Sequence, residues 1–423
     1  MADIAHASVQ QNTNQTTTSA SYGAVTGASI AAGSFTVDKK YLLWVSAQIR
    51  VSTADIVMGM QVVHGSTAFA ESELLAAVSN AANIGTTYNW FTVWTAISGE
   101  AVTLQFKSNG TDTVNADQIH VLAINLSDDL VENTDWLFAE DGTDALNIGS
   151  TAVDGASITF TPGEASDWLV AAWSQLRSDT VNLYSALIRS GEAASSKPES
   201  LVEQNIASDI FLCLNPRVFA LTAASNTFKE QARSSGATSS ADRLHSKIFA
   251  LNLNKFRNHA NAYTDAAVAL GTVDYGTLLQ TISLTPDIAS DVWIVASFNY
   301  NKNDTTNEAE FRVQVDEADE PAGQTTDNSQ FSQSDENTDE DPLSLSTLVN
   351  LSAAAHTIDL DASVDATTGT PTAQYRTLWA VTMELPAAGG GGATMVGFQL
   401  RMTKDTLSAD PPIVVLTGLP QSI

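Results

Sequence analysis

Cysteine is nearly missing from this chain. Cys213 stands alone, so neither an intramolecular disulfide nor a cysteine cluster for zinc is available. It lies in the apolar run Ile210–Leu214, where a buried structural thiol is expected. Long hydrophobic runs are missing too, and none approaches the ~20 residues that cross a bilayer. The first residues, Met-Ala-Asp-Ile-Ala-His, have no basic region followed by an apolar one, so synthesis in the cytoplasm without a secretory signal is expected. Basic residues are scarce: 19 Lys and Arg face 48 Asp and Glu, a net charge of -29. Such a surface repels phosphate backbones and anionic membranes, which argues against nucleic acid and membrane insertion as modes of action. Catalytic signatures are lacking as well. The six histidines (His6, His64, His120, His245, His259, His356) show no spacing that sets two ligands on one helical face. No Gly-x-Ser-x-Gly elbow, phosphate loop or dinucleotide fingerprint occurs, and Gly389–Gly392 lack the Lys-Ser or Lys-Thr of a phosphate cradle.

What the chain does have is length, apolar content and a repeat. Its 423 residues correspond to about three domains, and 43% hydrophobic residues suffice for cores. Three segments superpose: Tyr41–Ile49, Trp168–Leu176 and Val292–Tyr300. One alternating phase is apolar in nearly every copy. The other carries a tryptophan (Trp44, Trp173, Trp293) and turns polar at Gln48, Gln175 and Asn299. Period-two alternation of β-branched and aromatic residues signals strands. A second landmark closes each copy: Val121–Leu126, Ile248–Leu253 and Leu378–Leu385. The opening offset from Tyr41 to Trp168 and the closing offset from Leu126 to Leu253 are both 127 residues. From copy two to copy three the opening offset is 124 and the closing offset, Leu253 to Leu385, is 132. A third landmark precedes each closing strand, at Val102–Ser108, Thr227–Arg233 and His356–Asp361.

Many short strands between Gly, Asn, Asp and Ser turns predict an all-β chain of three tandem jelly-roll-like β-sandwiches. Short helices are expected only at Ala70–Ala82 and Pro198–Ile206. The expected organisation is an extended N-terminal arm over 1–18, sandwiches over 19–130, 131–258 and 259–386, and a Gly-rich linker with a strand-forming assembly tail over 387–423. The tail is too short for its own core, so it is expected to pair with another domain or subunit.

The candidate chemistry is sparse. Trp44, Trp173 and Trp293 read as packing residues rather than a sugar platform, and His120 and His245 as surface or core-edge residues. Asp316, Glu317, Asp319, Glu320, Asp335, Glu336, Asp339, Glu340 and Asp341 supply oxygen ligands for calcium but lack the EF-hand order, and read as a solvated insertion. Paired carboxylates of a glycosidase are not marked, because no acid recurs near the landmarks. No catalytic, cofactor-binding or metal-ligating residue is assigned, no cofactor is expected, and the chain is read as a non-enzyme.

The succession of Tyr41–Ala47, the Asn109-Gly110 turn and Val121–Leu126 resembles modules of tailed-phage virion proteins of tail, fibre or capsid-decoration type. The likeness covers about residues 20–385 and is a pattern of apolar positions. It implies a structural role in a virion, other virion proteins as partners and a homo-oligomer. It carries over no site residue. The alternatives are an adhesin for a host glycan or receptor, using the 301–342 insertion, and, third, a polysaccharide-degrading enzyme.

Overall fold

The computed structural model describes residues 3–51, 56–78, 85–178, 183–191, 199–202, 209–236, 241–272, 276–301, 309–320, 330–332, 340–364 and 371–386. Among them the regular secondary structure is almost entirely strand. Sandwich 1 holds β1 (His6–Gln11), β2 (Gln15–Thr17), β3 (Gly23–Ile30), β4 (Lys40–Val51), β5 (Ile56–His64), β6 (Thr67–Ala68), β7 (Leu74–Val78), β8 (Gly85–Thr95), β9 (Val102–Lys107) and β10 (Val114–Asn125). Sandwich 2 holds β11 (Trp136–Asp141), β12 (Val153–Phe160), β13 (Ser166–Ser178), β14 (Leu183–Arg189), β15 (Glu199–Val202), β16 (Asp209–Leu221), β17 (Asn226–Ser234) and β18 (Ala241–Asn252). Sandwich 3 holds β19 (His259–Thr264), β20 (Val268–Ala269), β21 (Thr277–Leu284), β22 (Ser290–Asn301), β23 (Ala309–Val315), β24 (Ala318–Glu320), β25 (Gln330–Ser332), β26 (Glu340–Leu351), β27 (His356–Val364) and β28 (Thr372–Thr382).

Strand order gives the topology. The first sheets run β1-β10-β4-β8, β11-β18-β13-β16 and β19-β28-β22-β26. The second sheets run β3-β9-β5-β7, β12-β17-β14-β15 and β21-β27-β23-β24. In each sandwich, then, the first, last, third and sixth of eight principal strands form one sheet, and the second, seventh, fourth and fifth form the other. That is the jelly roll. A single bridge between Ile210 and Leu75 joins the second sheet of sandwich 1 to the first sheet of sandwich 2.

The three landmark sets occupy the third, seventh and eighth strands of each copy, as the repeat predicts. One register differs. Leu42 lies opposite Ile124, Leu169 opposite Leu251 and Trp293 opposite Val381, so the closing offset from copy two to copy three is 130 rather than 132. The counterpart of Leu253 is therefore Met383, equally buried. A slip of two residues keeps every side chain on its face, and hydrophobic alternation alone does not detect it. Each closing strand is interrupted by a bulge at the same level, with Gln118 and Tyr375 at positive φ in β10 and β28.

Three local expectations are corrected. Residues 6–11 and 15–17 are not a free arm, since β1 and β2 pair with β10 and begin the first jelly roll. Their polar side chains suit an edge strand, whose cohesion comes from main-chain bonds. Within Ala70–Ala82, the described residues form one 3-10 turn at Ala70–Ser72 and then β7 over Leu74–Val78, where pairing with β5 outweighs the helix propensity of alanine and leucine. Within Pro198–Ile206, the described residues Glu199–Val202 form β15 against β14. The linker and tail over 387–423 lie outside the described residues.

Candidate functional site

The side chains that alternate away from each sandwich's own core do not face water. On β4 they are Leu42, Trp44, Ser46 and Gln48; on β13, Leu169, Ala171, Trp173 and Gln175; on β22, Trp293, Val295, Ser297 and Asn299. All twelve are buried. The three first sheets meet there around one shared apolar cluster with members from every sandwich, including Trp44, Trp173, Phe249, Leu251, Trp293 and Trp379. Trp293 packs edge-on to Trp379 with ring centres 4.6 Å apart and to Trp44 at 5.2 Å. Trp44 stacks on Phe91 at 5.4 Å. Each buried ring contributes about 4–6 kcal/mol of gross transfer energy, from 150–250 Å² at ~25 cal/mol per Å².

The seams between sandwiches follow one rule. At their rims, the first residue of each opening strand meets the start of the next sandwich's third strand. His6 Nε2 lies 3.1 Å from Asp291 Oδ2, and His259 Nε2 lies 3.1 Å from Asp167 Oδ2. Lys40 Nζ sits 5.5 Å from the centre of the Trp136 ring. By register His6, Trp136 and His259 are counterparts, as are Lys40, Asp167 and Asp291. The contacts run from sandwich 1 to 3, from 3 to 2 and from 2 to 1, so they close a ring. A second pair obeys the same rule: Gln10 donates to Thr347 Oγ1 at 3.0 Å, and its counterpart Tyr263 stacks under Arg217, the counterpart of Thr347, at 4.0 Å.

Deeper in, each closing strand aims one polar side chain from equivalent positions into a seam: His120, Lys247 and Thr377. Trp293 Nε1 donates to Ser346 Oγ at 2.9 Å, which leaves the Ser346 hydroxyl to donate to His120 Nδ1, also at 2.9 Å. Burial pushes the His120 imidazole down to about 3, so it is neutral at this seam. Lys247 Nζ is fully buried, donates to Glu71 Oε1 at 2.7 Å and lies over the rings of Trp90 and Trp173 at 4.8 and 5.2 Å. Burial lowers its affinity for the proton while Glu71 opposes that effect. These groups join sandwiches, His120 linking the first to the third and Lys247 the second to the first.

A second polar constellation lies inside sandwich 2. Glu230 is fully buried, accepts a hydrogen bond from Ser185 Oγ at 3.2 Å, and lies 3.4 Å from Arg243 Nη1. Arg243 Nη2 reaches Asp141 Oδ2 at 3.1 Å. Desolvation outweighs the guanidinium and drives the Glu230 carboxyl up to about 8. Gly155 backs this cluster so closely that any side chain there collides with Glu230, Ser246 and Arg243.

The candidates read from sequence fall as follows. Cys213 is buried in sandwich 2, and Trp44, Trp173 and Trp293 are all buried at the junction. His120 is not at a surface or core edge: it lies wholly inside a seam between two sandwiches, a contact no local pattern encodes. His245, on the inner strand β18, pairs with Glu140 of the neighbouring β11 at 2.5 Å, His64 with Glu100 at 2.5 Å, and His356 with Asp316 at 2.6 Å. Asp316 and Glu317 form the turn between β23 and β24, where Asp316 also accepts from the Thr357 amide at 2.9 Å. Asp335, Glu336 and Asp339 lie outside the described residues, as do the side chains of Asp319, Glu320, Glu340 and Asp341. Among the described residues no group of three or more His, Cys, Asp or Glu is placed to hold a metal ion.

The strand order and the closed seams define this chain as an all-β protein of three jelly rolls joined around one core. No protein-family model and no curated protein sequence matches it. Among solved structures, an insecticidal delta-endotoxin from Bacillus thuringiensis is 10% identical at a TM-score of 0.21, over 47% of this chain and 42% of the toxin. A protein of an archaeal virus, described by its triple jelly roll fold and turret assembly, is 9% identical at a TM-score of 0.18 over 89% of this chain and 92% of that one. A chain of Sulfolobus turreted icosahedral virus is 8% identical at 0.18, over 84% and 83%. This chain thus spans less than half of the toxin's length. At these scores the likenesses decide neither family nor function, and the jelly-roll assignment rests on the strand order of the chain itself.

Proposed function

We propose that this protein is a non-enzymatic building block of a virus particle, acting through protein–protein contacts as an exterior tail, fibre or capsid-decoration component of a phage. The observation that carries the reading is the ring of equivalent seams. One chain folds three jelly rolls into a joined block with a threefold-like plan, and such a plan suits repeated positions in a symmetric assembly. Its distinctive buried side chains, the tryptophans, His120 and Lys247, are engaged in holding that block together. Its partners in this reading are copies of itself and other virion proteins, and the acidic surface disfavours nucleic acid.

The test is the native mass of the purified full-length chain by light scattering, with negative-stain images of the same sample and a polysaccharide-turnover assay alongside. Ordered oligomers of three-lobed subunits without turnover are expected. A strict monomer at high concentration that cleaves polysaccharide overturns the reading.

A further inference from the structure

Five large apolar side chains are exposed among the described residues: Val37, Ile97, Val131, Leu146 and Leu278. Three of them gather at one end of sandwich 1. Val37, 45% exposed, precedes β4; Ile97, 50% exposed, follows β8; Val131, 59% exposed, follows β10. The loops that carry the first two are zipped together, the Asp38 amide donating to the Ala96 carbonyl at 3.0 Å and the Ala96 amide to the Lys39 carbonyl at 2.9 Å. Lys39 and Lys40 bind Asp128 and Glu132 at 2.6 and 2.7 Å, which holds the Val131 segment beside them. The corresponding loops of sandwiches 2 and 3, over 161–165, 222–225, 285–289 and 352–355, expose no large apolar side chain.

The chain leaves the described block at this same end. Asp3 bridges Glu384, and the Ile4 amide donates to the Met383 carbonyl at 3.0 Å. Ala5 in turn accepts from Asn125, and Leu126 donates to Lys40, so a run of hydrogen-bonded neighbours leads from Glu384 to the apolar end. Beyond residue 386 the sequence continues through Gly389–Gly392 to the apolar segments Met395–Met402 and Ile413–Leu416. Ile413 lies 28 positions beyond Leu385. Random-coil statistics for that number of residues give roughly 30 Å, ample to cross the few strands, each about 4.8 Å apart, between Leu385 and Val37. Residues 387–423 carry two basic and two acidic side chains, so they meet no net repulsion from a body that holds the whole charge of -29.

We propose that Ile413–Leu416 fold back over the end of the chain's own first sandwich and cover Val37, Ile97 and Val131. The docking is independent of the particle reading. It is tested in the full chain with Ile97→Cys and Val414→Cys combined, since Cys213 is fully buried and stays unreactive under mild diamide oxidation. A disulfide within one chain is expected, at the mass of a single chain and forming at least about 5-fold faster than with Ile97→Cys and Ser408→Cys. Equal rates, or links only between chains, overturn it. A second measurement places an environment-sensitive dye on Ile97→Cys. Adding Val414→Asp and Leu416→Asp is expected to shift its emission to the red, and unchanged emission overturns the docking.

Discussion

In sandwich 3 the middle of the core holds Leu360 on β27 and Ala373 on β28; in sandwich 1 the same two positions are Phe106 and Ala116. In sandwich 2 they are Glu230 and Arg243. The fold is common to all three, yet one copy sets an ion pair where the others place a bulky apolar side chain against alanine. The consequence is visible in the packing: the core of sandwich 2 separates into two apolar clusters, whereas sandwich 3 has one. The jelly roll therefore requires that this space be filled, but does not dictate the filling. A desolvated pair contributes less to stability than apolar packing of similar volume, although breaking it is costly.

The comparison is broken most strongly by Arg243→Ala. Leaving Glu230 buried without its guanidinium is expected to cost about 3–5 kcal/mol at pH 9, above the pKa of about 8 where the carboxyl is charged, and less at pH 5, where Glu230 is neutral. Urea unfolding at both pH values checks this, and equal losses at the two would refute it. Lys247→Ala, which strands Glu71 and opens a hole beside Trp90 and Trp173, is expected to cost about 3 kcal/mol and to loosen the seam between sandwiches 1 and 2. Hydrogen exchange of β8 and β18 reports that seam.

Titration separates the regions by sign. The unfolded chain releases the Glu230 proton near 4.5 and the folded chain only near 8, so this stabilisation is complete below about 4.5 and declines as pH rises to about 8. His120 runs the other way. The unfolded imidazole takes a proton near 6.5 and the folded one near 3, so its stabilisation is complete above about 6.5 and declines as pH falls toward 3. Melting curves of Glu230→Gln and His120→Gln should each lose one limb and keep the other. Making sandwich 2 resemble sandwich 3, with Glu230→Leu and Arg243→Ala together, is expected to change stability by less than about 2 kcal/mol, toward stabilisation. The smallest effect belongs to the exposed rim: Lys40→Ala should cost no more than about 1 kcal/mol in the same unfolding assay.

Much of this architecture was legible in the sequence because burial in a strand leaves a period-two trace, and a threefold repeat writes it three times. The buried tryptophans were legible for the same reason: a strand apolar on both faces announces cover on both sides. The register of β28 was not, since a two-residue slip leaves the trace unchanged. Nor was the strand at Leu74–Val78, where pairing with β5 overrode local preference. The pairing of Glu230 with Arg243 was also hidden, because 13 residues of chain separate them and only the sandwich brings them to 3.4 Å.

By itself the sequence determined an all-β chain, its division into three related units and the residues that fill their cores, since these follow from local alternation and spacing. Only the tertiary structure decided that the units close on one another, which polar groups lie in the seams, and that His120 belongs to an interior. Those outcomes depend on contacts between residues 300 or more positions apart, as between Ser46 and Ser346 or Gln10 and Thr347, and no local pattern encodes a partner so distant.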